Sequence, residues 1–274
     1  MERQDGAIGI FDSGVGGLSV LREVRAQLPN EALMYFADQA HVPYGPRPLE
    51  EVRAFSEEIT RFLLEQGAKL VVVACNTASA AALHYLRGKF PHVPFVGMEP
   101  AVKPAAEQTK SGVVGVLATP ATFQGALYAS VVERFAQGVT VLQDTCPGLV
   151  GQIERGALEA AETRAILEKA LYPMLERGID TVVLGCTHYP FVIPLIRQIV
   201  GETARVIDPA PAVARQVKRV LEAVEATRLS SESVPIRYYT SGAPASFDAV
   251  LSVLGMERGP VRGVRWQAGY IQEI

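Results

Sequence analysis

Two stretches of the chain, KLVVVACNTASA and DTVVLGCTHYP, each run through β-branched residues into a cysteine, Cys75 and Cys186, and continue into hydroxyl-bearing residues. A β-branched run that stops at such a segment reads as a buried strand handing over to a helix start. Each thiol is therefore expected at the carboxyl end of a strand, where open α/β sheets bind ligands. Unpaired backbone N–H groups and the helix dipole favour a thiolate there. The repetition reaches beyond the cysteines. Gly9-Ile10-Phe11-Asp12-Ser13 has a counterpart in Gly115-Val116-Leu117-Ala118-Thr119, and the same spacing relates Tyr35-Phe36-Ala37-Asp38 to Val141-Leu142-Gln143-Asp144. Gly67 to Val72 meets Gly178 to Val183 at a slightly larger spacing, which is also that between the two cysteines. A chain repeated in this way is constrained to two units built alike, able to face each other across a cleft.

Short apolar strands alternate with amphipathic helical patterns throughout. Strands are expected at 7–11, 32–37, 70–74 and 94–98, with helices at 17–27, 49–65 and 78–87 between them. A second set follows, with strands at 113–118, 139–143, 181–185 and 205–207 and helices at 121–136, 157–176 and 191–200. After it come a helix at 212–226, a polar break at 227–234, a strand at 236–240 and a helix at 246–254. Such alternation implies parallel sheets covered on both faces. The expected fold is α/β: two pseudo-symmetric α/β domains with parallel-type sheets flanked by helices, and an active site in the cleft between them. Proline-containing stretches at 99–110 and 208–211 are the natural crossings. They divide the chain into a discontinuous first domain, residues 1–98 and 208–274, and a second domain, residues 99–207.

Composition excludes several classes. A chain of 274 residues with 49% hydrophobic content is long enough for two cores. Its net charge of −3, from 26 basic and 29 acidic residues without a basic run, gives no case for nucleic acid. The apolar runs are far below a membrane span, and MERQDGAIGIFDSG lacks the pattern of a secretory signal. Three cysteines without dense spacing fit reduced thiols in the cytoplasm better than a disulfide framework.

The loops carry the chemistry. The first strand ends in Asp12 and Ser13 and enters a glycine-rich turn whose backbone can approach a ligand. It fails the GxGxxG pattern, because Ser19 stands where the last glycine would, and it lacks the Lys-Ser/Thr ending of a P-loop. An Asp in that place is often a helix cap; beside a thiol it becomes a pKa-setting or proton-relay group. The rigid HVPYGPRP loop at 41–48 is a structural turn taken alone, yet it can offer amides and the Tyr44 phenol to a carboxylate. Thr119 and Thr122 are ordinary helix-start residues, although the repeat sets Thr119 opposite Ser13. A single buried cysteine is most often a small hydrophobe; two equivalent strand-end thiols reverse that preference. Phosphatase chemistry would require arginine at Ala81 or Val192. Cys186 and His188 alone lack the further ligands of a structural zinc site. Cys146 has no counterpart in the other half and reads as structural.

FDSGVGGLSVL, HVPYG, VVACNTASA, GLVGQIERG and LGCTHYP stand in the order seen in glutamate racemases, the pyridoxal-independent branch of the aspartate/glutamate racemase superfamily, which the chain resembles over almost its whole length. Pro48 and Gly125 depart from that pattern, each at a position where serine is usual. The resemblance implies interconversion of L- and D-glutamate, supplying D-glutamate for peptidoglycan. It further implies that Cys75 acts on D-glutamate with help from Asp12, and that Cys186 acts on L-glutamate with help from His188 and Glu154. Asp12, Ser13, Tyr44, Gly45, Asn76, Thr77, Thr119, Thr122, Thr187 and His188 are the expected substrate-binding residues. No cofactor and no metal are expected: no lysine stands in VVACNTASA or LGCTHYP to hold pyridoxal, and no acidic metal cluster is visible. Family members are often dimers, so a homodimer is the expected assembly. An aspartate-specific racemase would keep both thiols and change the carboxylate pocket. A binding protein of the same fold would not need them.

Overall fold

A computed structural model describes residues 5–274; the first four, part of the stretch read above for a secretory signal, lie outside the described residues. The chain begins β1 (Ala7–Asp12), α1 (Leu18–Gln27), β2 (Leu33–Ala37), α2 (Leu49–Glu65), β3 (Ala68–Val73), α3 (Asn76–Lys89) and β4 (Phe95–Gly97). It continues through α4 (Val102–Gln108), β5 (Val113–Ala118), α5 (Pro120–Gln124), α6 (Ala126–Phe135), β6 (Thr140–Asp144), α7 (Leu149–Glu154), α8 (Ala161–Glu176) and β7 (Thr181–Gly185). A short 3-10 turn at Tyr189–Val192 leads to α9 (Ile193–Val200), β8 (Arg205–Ile207), α10 (Ala210–Ala223), β9 (Arg237–Thr240), α11 (Pro244–Val253), β10 (Val261–Gln267) and β11 (Tyr270–Glu273).

One sheet runs β11-β10-β9-β2-β1-β3-β4 and the other β6-β5-β7-β8. The order β2-β1-β3-β4 is thus repeated as β6-β5-β7-β8, the α/β duplication expected from the sequence. Every pairing is parallel except β10 with β11. β1 and β3 pair in a register that matches Phe11 with Val73, and β5 and β7 match Ala118 with Gly185. The loops that follow Asp12, Val73, Ala118 and Gly185 therefore leave from strand carboxyl ends, two in each sheet.

Burial explains why the inner strands β1, β2, β3, β5 and β7 are largely apolar instead of alternating: parallel strands covered on both faces expose neither. One buried cluster joins Ile8 and Ile10 to Leu18 and Leu21 of α1 and continues through Leu117 into Val182 and Leu184 of the second sheet. The opposite face of the first sheet, with Phe11, Val71 and Val73, packs on Val52, Ile59 and Leu63 of α2 and Ala78 and Ala82 of α3. The α2 hydroxyls buried among these residues are satisfied locally, Ser56 Oγ donating to the Val52 carbonyl and Thr60 Oγ1 to that of Ser56, each at 2.7 Å.

Several expected elements are corrected. The helix expected at 121–136 is broken at Gly125, whose extended backbone separates α5 from α6. A Cβ on Gly125 would lie 2.9 Å from Ala80 Cβ, so the glycine permits α3 to approach. The helix expected from 157 begins at Ala161, and the crossing at 99–110 contains α4. The helix α7 and the two last strands, β10 and β11, stand where no element was expected.

Candidate active site

Cys75 caps α3, its Sγ accepting from the Ala78 amide at 3.4 Å. Cys186 follows β7 and leads into the 3-10 turn, its Sγ lying 3.7 Å from His188 Nδ1. Both thiols are buried and unpaired by disulfides. They line a single cavity of about 20 Å³ together with Asp12, Ser13, Tyr44, Gly45, Asn76, Thr77, Thr119, Thr187 and His188, and with Pro43 and Val150. Two expected residues stand one bond behind it. Thr122 Oγ1 is 3.0 Å from Thr119 Oγ1, and Glu154 Oε1 is 2.6 Å from His188 Nε2.

Hydrogen bonds across the two halves fix these groups. Asp12 Oδ1 accepts from the Ser13 amide at 2.5 Å and the Ser13 hydroxyl at 3.0 Å, while Oδ2 accepts from Thr187 Oγ1 of the other half at 2.8 Å. Ser19 Oγ donates to the Thr187 carbonyl at 2.9 Å. Glu154 Oε1 also accepts from the Val15 amide at 2.7 Å. The glycine-rich turn is required by this closeness: a Cβ on Gly14 would overlap Glu154 Oε1, and one on Gly16 would strike the His188 ring. Tyr44 donates to the buried Asp38 Oδ2 at 2.6 Å, and Asp38 Oδ1 accepts from Trp266 Nε1 at 2.8 Å.

The electrostatics of the two thiol neighbourhoods differ. Burial, with Asp12 beside it, pushes the Cys75 thiol well above its usual range. Burial also raises Asp12, against the opposing influence of His188, Thr187 and Ser13. Burial disfavours a charged His188, but the hydrogen bonds to Cys186 and Glu154 outweigh it and raise its pKa well above 6.5. Burial disfavours a charged Glu154 too, and the bonds from His188, Val15 and Gln39 overcome it to lower that carboxyl. An imidazolium–carboxylate pair thus stands behind Cys186, whereas Cys75 has a carboxyl as its neighbour.

Asn76 is 4% exposed, lines the cavity, and neither its amide oxygen nor its nitrogen has a partner. A buried amide left in that state costs free energy until a ligand engages it. The cavity volume is room for about one water. A larger cavity, of about 820 Å³, lies at the crossings between the sheets among Met98, Pro100, Ile207 and Ala212, and none of the expected site residues lines it. Among the described residues, no group of three or more His, Cys, Asp or Glu is placed to hold a metal ion, and no helix is long and apolar enough to cross a membrane.

Residues 8–217 match the family model described as Asp/Glu/Hydantoin racemase. The glutamate racemase of Pseudomonas aeruginosa is 53% identical over 93% of this chain and 96% of its own. Among solved structures, a glutamate racemase isoform of Bacillus anthracis aligns with a TM-score of 0.84 at 32% identity, over 97% of this chain and 99% of that one. The glutamate racemase of Francisella tularensis, in complex with D-glutamate, aligns with a TM-score of 0.81 at 28% identity, over 94% and 97%. With two cysteines at equivalent strand ends of a repeated α/β unit and this likeness over nearly its full length, the chain belongs to the Asp/Glu/Hydantoin racemase family, in its glutamate racemase branch, and is by that membership an isomerase.

Proposed function

We propose that the protein interconverts L- and D-glutamate without a cofactor, using Cys75 and Cys186 as the two acid–base groups. The observation that carries this reading is that two buried thiols, one from each sheet, line one small cavity. Inverting a stereocentre by deprotonation needs a base on one face of the α-carbon and an acid on the other. One thiolate takes the α-proton, and the opposed thiol then delivers a proton to the other face of the resulting carbanion. The enzyme is left with its protonation pattern reversed, ready for the enantiomer. Cys75 takes the proton of D-glutamate with Asp12 as neighbour; Cys186 takes that of L-glutamate with His188 and Glu154 behind it.

Buried beside Asp12, Cys75 rests as a thiol, and the substrate ammonium supplies the positive charge that makes a thiolate accessible. Ser13, Asn76, Thr77, Thr119, Thr122 and Thr187, with Tyr44 and Gly45, bind the carboxylates and the ammonium, and the unpartnered Asn76 amide supports this. Donors arranged for a γ-carboxylate reject neutral analogues by leaving polar groups unpaired. The D-glutamate bound by the Francisella tularensis relative supports glutamate as the substrate. In this reading the protein works in the cytoplasm as a homodimer and its D-glutamate serves peptidoglycan synthesis.

Incubation in D₂O with a reductant present tests the mechanism. Wild type should exchange the α-hydrogen of glutamate and lose optical rotation, whereas Cys75→Ala and Cys186→Ala should each abolish racemisation. Full racemisation by both single variants would overturn the two-thiol mechanism, and rotation lost with L-aspartate alone would overturn glutamate.

A further inference from the structure

Gln39 follows β2 in the first half, yet its side chain reaches the acid–base machinery of the second. Its Nε2 donates to Glu154 Oε2 at 3.1 Å, and its Oε1 accepts from Thr240 Oγ1 at 2.8 Å. The orientation of the amide follows from chemistry, because a carboxylate only accepts and must face the nitrogen. Thr240 is fully buried at the end of β9. Its Oγ1 accepts from the Gly242 amide at 3.0 Å, which directs the hydroxyl proton to Gln39. Gly242 also leaves the space Gln39 occupies: a Cβ there would lie 2.8 Å from Gln39 Oε1 and 3.0 Å from Gln39 Cβ.

The result is a continuous chain of contacts. Cys186 Sγ meets His188 Nδ1 at 3.7 Å, His188 Nε2 meets Glu154 Oε1 at 2.6 Å, and Glu154 Oε2 meets Gln39, which Thr240 holds. Each Glu154 oxygen is thereby engaged by a donor from the first half, Val15 on one and Gln39 on the other. The ionisable groups that face the Glu154–His188 pair are Cys186, Asp12 and Tyr35. Cys75 has a different arrangement, in which Asp12 stands at the cavity itself, fixed by Ser13 and Thr187.

We propose that Gln39 is a positioning residue for the Cys186 half of the reaction, orienting Glu154 and through it His188, and thereby gives the two thiols different proton-transfer competence. The proposal rests on the two-thiol reading. Loss of a hydrogen bond to a charged positioning group lowers activity on the order of tenfold. Because the two substrates are mirror images of equal energy, the fall in kcat/KM must be the same in both directions. The discriminating readout is the primary isotope effect with α-deuterated substrates. When proton transfer at Cys186 is slowed, abstraction from L-glutamate becomes more rate-limiting and abstraction from D-glutamate by Cys75 less so.

Gln39→Met keeps length and bulk and removes both hydrogen bonds. It should lower kcat/KM about tenfold with an isotope effect that rises for L-glutamate and falls for D-glutamate. Thr240→Val should give the same opposed shifts in smaller degree, and Thr240→Ser, which restores the hydroxyl, should reverse them. That pair decides the matter should Gln39→Met fail to fold by circular dichroism. Wild-type kinetics in a folded Gln39→Met, or isotope effects that move together, would overturn the role of Gln39. Cys186→Ala measured in parallel separates the two levels: if it is inactive while Gln39→Met is unaffected, only the positioning role fails, and if it racemises fully, the two-thiol reading fails itself.

Discussion

At the level of single residues, the site turns on how closely the two halves approach. Gly14 and Gly16 are selected by what lies opposite them, the Glu154 carboxylate and the His188 ring, so their lack of a side chain is itself a structural requirement of the acid–base pair. Gly14→Ala is expected to drive Glu154 away from the Val15 amide and from His188. Steady-state assays should find kcat/KM down by at least about tenfold, with an unchanged circular dichroism spectrum. Cys75, Cys186, Asp12 and His188, which the fold brings to one cavity, were legible as candidates because each sits in a local pattern, a strand end followed by polar residues. Glu154 was a candidate only through family likeness, since its contacts are with His188 and Val15, distant in sequence. The partners of Gln39 and Asp38 were not legible, because nothing in their own neighbourhood tells which group of another element they will meet.

Elements were legible wherever periodicity was strong and the segment long, as in α2, α8 and the central strands. The apolar spacing of Val52, Ile59, Phe62 and Leu63 marks one buried helix face. The misses have particular causes. α7 is short and is capped by Gly148, in a left-handed conformation after a proline, so it offers little periodic pattern. β10 and β11 lie at the sheet edge and are only partly buried, which removes the continuous apolar run that marked the inner strands. The break at Gly125 arises from a tertiary contact: the α5–α6 junction must let Ala80 of α3 come close. Gly125→Ala should therefore cost about 1–3 kcal/mol through overpacking, read as a lower midpoint of urea unfolding.

Over the whole molecule, the repeated sheet order and the bonds between halves make the His188–Glu154 pair part of what holds the halves together. His188 and Glu154 link α7 and the β7 loop to the Val15 turn of the first half. The folded His188 pKa is raised, so its stabilisation is complete below the usual 6.5 and is lost as pH climbs through the raised value. The folded Glu154 pKa is lowered, so its stabilisation is present above the usual 4.5 and is lost as pH falls through the lowered value. The difference in Tm between wild type and Glu154→Gln, followed by differential scanning calorimetry, should be greatest between those two values and shrink on both sides. A different long-range tie begins near the chain's other end. Trp266 of β10 is the sole tryptophan, its Nε1 bonded to Asp38, which in turn receives the hydroxyl of cavity-lining Tyr44, while His41 and Phe55 pack around its ring. The protein thus carries an intrinsic fluorophore two hydrogen bonds from its cavity, and the colour and yield of its emission follow the posture of the Tyr44 loop without any label being added.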